Sequence, residues 1–167
     1  MQIIMACDPV DEILAQWQTE RPDLDASPMG ILGRTPRLAK HLTREISATL
    51  SKFNLNPGEF DVLATLRRSG KPYQLSPTKL YNSMMVTSGT MTNRIDGLEK
   101  AKLVERIRDP SDRRGMLIHL TDKGFDLIEK AVEAHVENGH RILNVLEESE
   151  LETLNVLLSK LLISLEE

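Results

Sequence analysis

Between Ala101 and Thr121 the helical patterning of this 167-residue chain breaks, and two short runs appear around a charged turn. Residues 103–107 (LVERI) and 116–120 (MLIHL) are rich in branched aliphatics and too short for helices, so they read as strands. The turn between them is Arg108-Asp109-Pro110-Ser111-Asp112-Arg113-Arg114-Gly115, full of turn formers and arginine. A β-hairpin with a long basic tip, set inside an otherwise helical chain, leaves few architectures open.

The helical remainder is punctuated by proline just inside each start, where its missing N–H costs nothing. Asp8-Pro9 opens a helix to about Glu20, with Ile13, Leu14 and Trp17 on one stripe. Ser27-Pro28 starts a longer one to about Lys52, in which Thr35-Pro36 is expected to produce a kink or a break into two. Asn56-Pro57-Gly58-Glu59 combines an N-cap, a first-turn proline and an N3 glutamate, predicting a helix over 57–69 stopped by Gly70. Ser76-Pro77 predicts a short helix over 77–82, and Thr87 or Ser88 caps another over 88–100. After the hairpin, Thr121 caps a helix to about 140. Ser149 with Glu152 forms a capping-box pattern for a last helix carrying seven leucines at helical spacing, from Leu151 to Leu165.

A short helix, a capped helix and a hairpin in succession form the winged helix-turn-helix arrangement, in which the second helix enters the major groove and the hairpin tip reaches the neighbouring backbone or minor groove. The expected class is mainly α with a small β-hairpin (α+β). It forms a single domain over 1–167, with 55–121 as the winged helix-turn-helix core and the segments 8–52 and 122–167 as dimerisation helices.

Net charge is -4, which taken as a sum argues against nucleic acid; its distribution does not. Residues 26–125 hold 17 basic and nine acidic side chains, whereas 1–25 and 126–167 are both strongly acidic. A basic centre between acidic ends suits a DNA-contacting core. Within it, the segment 87–94 (TSGTMTNR) offers Thr87, Ser88, Thr90, Thr92, Asn93 and Arg94, short hydroxyl and amide groups able to approach base edges and phosphates. The hairpin tip adds Arg108, Arg113 and Arg114, suited to the concentrated negative potential of a narrow minor groove. Asp112 is expected to orient one of these arginines rather than touch DNA.

Residues 60–68 (FDVLATLRR), 88–99 (SGTMTNRIDGLE) and 109–114 (DPSDRR) together resemble the MarR family of regulators, the last being that family's wing signature. The resemblance runs over nearly the whole chain. It implies a homodimer joined by the terminal helices, with each subunit setting one recognition helix into half of a pseudo-palindromic double-stranded operator. It further implies a repressor released by a small molecule. The segment 17–28 (WQTERPDLDASP) is similar to the N-terminal extension of the PecS-like, urate-responsive branch of the family. That similarity implies a ligand set of Trp17, Asp61, Arg68, Arg94 and Arg106, and an anionic effector such as urate or a related purine. An anion brought beside Asp61 would repel it and weaken its pairing with Arg94 on the recognition helix.

Other classes find little support. The opening residues lack a basic n-region and a cleavage site, and no apolar run is long enough for a membrane span, so the chain reads as cytoplasmic. Cys7 is the only cysteine and has an acidic neighbour, which does not favour a reactive thiolate. His41, His119, His135 and His140 follow no metal-ligand spacing, and neither a cofactor motif nor a nucleophile–base constellation is present, so the chain does not read as an enzyme. The competing reading is a winged-helix protein–protein interaction module without a DNA role, or a MarR-type regulator with a different inducer.

Overall fold

The computed structural model describes residues 7–84, 91–112 and 114–166. Among them lie seven helices and three strands: α1 (Pro9–Glu20), α2 (Ser27–Ser51), α3 (Pro57–Arg68), β1 (Gln74–Leu75), α4 (Pro77–Ser83), α5 (Met91–Lys100), β2 (Val104–Arg108), β3 (Met116–Leu120), α6 (Asp122–Leu143) and α7 (Glu148–Glu166). The chain divides into two compact units, residues 1–45 and 46–167.

In the first unit, Asp8 caps α1 by accepting from the amides of Val10 and Asp11, and Asp11 returns the bond from the Asp8 amide, completing a capping box. Arg34 of α2 then binds both carboxylates, Nε 2.7 Å from Asp8 and Nη2 2.5 Å from Asp11. Val10, the one buried residue of α1, packs where Gly33 leaves room for it. Pro36 does not divide α2, which runs unbroken from Ser27 to Ser51. The surrounding face is exposed, so water can satisfy the carbonyl that proline leaves without a donor, and the Thr35 hydroxyl donates to the Ile31 carbonyl at 2.8 Å.

The second unit is built around α3. Val62, Leu63 and Leu66 are wholly buried and pack with Leu80 of α4, Ile95 and Leu98 of α5, Ile118 of β3 and Ile128 of α6. Asn56 and Glu59 form the expected capping box at the start of α3. The helix stops at Arg68, and Gly70 adopts φ +80°, the left-handed conformation glycine tolerates.

The strands pair antiparallel in the order β1-β3-β2, with Arg106 opposite Ile118 and Arg108 opposite Met116. Sequence patterning anticipates β2 and β3 but not β1, whose two residues pair with His119 and Ile118. Thr121 closes the sheet onto α6: its hydroxyl donates to the Lys102 carbonyl and accepts from the Gly124 amide. Gly124 lies so close to the Leu103 carbonyl that a Cβ there would overlap it. α7 begins at Glu148 rather than at a Ser149 cap, because the Glu150 carboxylate binds the Glu147 amide and starts the helix earlier.

Candidate nucleic-acid interface

Two elements of the second unit present polar surface side by side, α5 and the β2–β3 tip. α5 buries Ile95 and Leu98 and leaves Thr92, Asn93, Asp96, Gly97 and Lys100 exposed. The apolar pair at i and i+3 thus fixes which face meets solvent. Thr92 and Asn93, both expected to contact DNA, stand on the exposed face. Thr87, Ser88 and Thr90 lie outside the described residues, as does Arg113 of the tip.

Arg94 sits differently. It is half-buried, and its guanidinium packs against Gly58 in the first turn of α3. It is therefore aimed at α3, whereas its sequence neighbours Thr92 and Asn93 are exposed.

The tip between β2 and β3 is a pair of side-chain-capped turns. Asp109 Oδ1 accepts from the Ser111 amide at 2.8 Å and from its hydroxyl at 2.6 Å. The Ser111 hydroxyl bond holds the Asp109 carboxyl below its ordinary range, and the charge of Lys79 adds to the effect. Asp112 Oδ1 accepts from the Arg114 amide at 2.9 Å, so Asp112 orients an arginine through its backbone. The backbone bonds Asp109 N–H to Gly115 O and Gly115 N–H to Asp112 O close the turn. Position 115 must be glycine-sized, since a Cβ would meet Asp109 Cβ at 2.9 Å and Asp112 Cβ at 3.0 Å. Arg108 and Arg114 project from this rigid base and are exposed. Lys79 is exposed in the first turn of α4, and its charge adds to the lowering of the Asp109 pKa. Sequence reading passes over it; a lysine two residues after a helix-starting proline, ahead of the reading helix, is the available signal.

Four of the expected ligand residues belong to the second unit. Asp61 is buried in α3, at 7% exposure. Arg68, at the end of that helix, donates to Thr65 Oγ1 at 3.0 Å and to the carbonyl of Ser83, where a cation suits the C-terminus of α4. Arg106 donates to Asp96 at 2.5 Å and to Glu99, which raises its already high pKa further, the hydrogen bond to Asp96 contributing most. Arg106 also lines an open hollow of about 380 Å³ with Pro77, Tyr81, Met91, Thr92 and Ile118. Trp17 belongs to the first unit, on α1, at 38% exposure. Of the five, Arg94 packs against Gly58 of α3, and Arg106 binds Asp96 and Glu99 of α5.

The sequence profile of the MarR family matches residues 55–116, from just before α3 to the first residue of β3. The chain is 44% identical over 151 residues to the transcriptional regulator PecS of Dickeya dadantii, covering 90% of this chain and 91% of PecS. Among solved structures, a cysteine-to-serine mutant of Escherichia coli MarR complexed with operator DNA superposes with a TM-score of 0.69 at 25% identity, over 93% of this chain and 99% of that one. BpsR of Bordetella bronchiseptica, whose DNA binding is regulated by 6-hydroxynicotinic acid, gives 0.69 at 25% identity over 77% and 90%. With a winged helix-turn-helix built as described and a likeness to PecS that runs almost end to end, this chain belongs to the MarR family.

Proposed function

We propose that this DNA-binding transcriptional regulator works as a homodimeric repressor on a pseudo-palindromic operator, and that a small anionic aromatic ligand such as urate releases it. The observation that carries the DNA part is the exposed polar face of α5, together with a wing whose turn is closed by side-chain hydrogen bonds and whose Arg108 and Arg114 are exposed. Short side chains on α5 read base edges, while Arg108 and Arg114, with Lys79, neutralise phosphates.

Dimerisation is supported by α7, which buries none of its residues within the chain. Leu157, Leu158, Leu161, Leu162 and Ile163 are each about half exposed, far more contiguous apolar surface than a monomer ordinarily leaves in water. A second copy covers it at least cost, because a two-fold axis pairs the same face with itself. Two recognition helices then lie about 34 Å apart, one turn of the duplex.

The ligand reading draws on the likeness to the urate-responsive branch, and on BpsR as a relative that answers to a small aromatic acid. Trp17, Asp61, Arg68, Arg94 and Arg106 are its candidate residues, to be substituted one at a time. Titration of urate into the protein–operator complex tests it. Release at submillimolar urate supports the reading, and persistence of the complex in saturating urate removes urate while leaving the DNA role intact.

A further inference from the structure

We propose that Gly58 is a positioning residue for DNA binding: it is the socket into which Arg94 folds, and it fixes the pose of the recognition helix. The proposal rests on reading α5 as that helix. Gly58 is buried in the first turn of α3. A Cβ at this position would lie 2.5 Å from Nε, 2.6 Å from Cζ and 3.0 Å from Nη2 of Arg94, so the three nearest heavy atoms all belong to one guanidinium. Glycine is a poor residue for a helix, and the arginine that occupies the missing side chain's place supplies a packing reason for it here.

The neighbouring approach between the same two helices is looser. A Cβ on Gly97 of α5 would stand 3.6 Å from Glu59 Oε1, an ordinary contact. Glu59 is itself committed to the Asn56 amide at 3.0 Å, as part of the α3 cap. Of these two glycine positions the closer approach is that of position 58 to Arg94, whose guanidinium is the flexible end that a methyl there would displace. Arg94 immediately precedes the buried Ile95, so under the proposal displacing its guanidinium disturbs the seating of the segment that carries Thr92 and Asn93 on the outer face. On the opposite edge Arg106 holds Asp96 and Glu99. The recognition helix is thus fastened along both edges, by an arginine of its own on one side and by an arginine of β2 on the other.

The test compares wild type, Gly58→Ala, Arg94→Ala and the double variant for binding to the duplex upstream of the chain's own gene, across a salt series, with thermal melting of each protein. Under the proposal, each single variant binds about five- to tenfold more weakly. The slope of log affinity against log salt is unchanged, because no phosphate contact has been removed. The double variant binds no worse than either single one. A methyl group that lowers the melting temperature of Gly58→Ala should be tolerated again once Arg94 is gone; a melting temperature that stays low in the double variant overturns the proposal. So does wild-type affinity in Gly58→Ala, or a slope reduced by about one in Arg94→Ala, which would put Arg94 itself on a phosphate. Wild type that fails to prefer this duplex over an unrelated one would instead sink the DNA reading, a separable result.

Discussion

Arg106 of β2 donates to Asp96 of α5 across 2.5 Å, fastening the strand that leads into the wing to the helix proposed to read DNA. The same guanidinium also binds Glu99, one turn further along α5. Replacing Arg106 by alanine leaves two carboxylates facing each other without their cation. Because Asp96 is more than half exposed, solvent screening keeps the cost small, about 1 kcal/mol in urea denaturation. Operator affinity should fall further than stability does, since the angle between wing and helix is lost. A variant with unchanged affinity would mean that α5 is held by its apolar contacts alone.

The start of α1 should loosen in acid. Asp8 has its carboxyl held below the ordinary range chiefly by its hydrogen bond from Arg34. Asp11 is lowered first by the Asp8 amide and then by Arg34. A depressed folded-state pKa contributes stability that is full above the ordinary carboxylate pKa, near 4, and is lost as pH falls through the lower folded value. Trp17, the sole tryptophan, lies on α1 and reports the change by fluorescence. Arg34→Ala should move the acid transition upward toward the ordinary carboxylate range. A transition at the same pH in both proteins would show that Arg34 contributes nothing to the cap.

Gly124→Ala should destabilise the second unit by about 1–3 kcal/mol, as overpacking against an immovable backbone does. The obstacle is the Leu103 carbonyl, which cannot swing away as a side chain would, and Leu120 Cδ1 stands at 2.8 Å on the other side. A lowered urea midpoint with unchanged slope would bear this out; an unchanged midpoint would mean that α6 can shift along the sheet freely.

Arg108→Ala and Arg114→Ala should each weaken operator binding and reduce the slope of log affinity against log salt by about 1, one phosphate contact apiece. Both side chains are exposed and neither supports the core, so melting temperatures should stay at the wild-type value. Loss of affinity without a change of slope would assign the wing a steric role instead.

Elements marked by capping chemistry are legible in the sequence. Asp8, Asn56, Ser76 and Thr121 each cap a helix as expected, because the side-chain oxygen that satisfies a free amide is specified locally. The hairpin is legible for the same kind of reason, in its turn residues and branched strands. β1 is not: two residues carry no period, and their pairing is decided by β3, over forty residues away. The expected kink or break at Pro36 does not divide the helix, because local rules count the lost hydrogen bond but not the exposed face, where water replaces it.

The site is legible in type and less so in direction. Thr92, Asn93, Arg108 and Arg114 stand on exposed surface, which a DNA contact requires, while Arg94, from the same segment as the first two, packs against Gly58. Nothing in a Pro-Gly-Glu first turn distinguishes a glycine kept for capping geometry from one kept for an arginine thirty-six residues later. That partnership exists only once α3 and α5 cross.

Titration of the purified protein against a fluorescent duplex from the DNA upstream of its gene, at about 0.1 M salt, bears most directly on the central claim. The account predicts two chains per duplex and a Kd on the order of 10 nM, at least about a thousandfold tighter than for a scrambled duplex. Equal affinity for the two duplexes, or binding by a single chain, would contradict it.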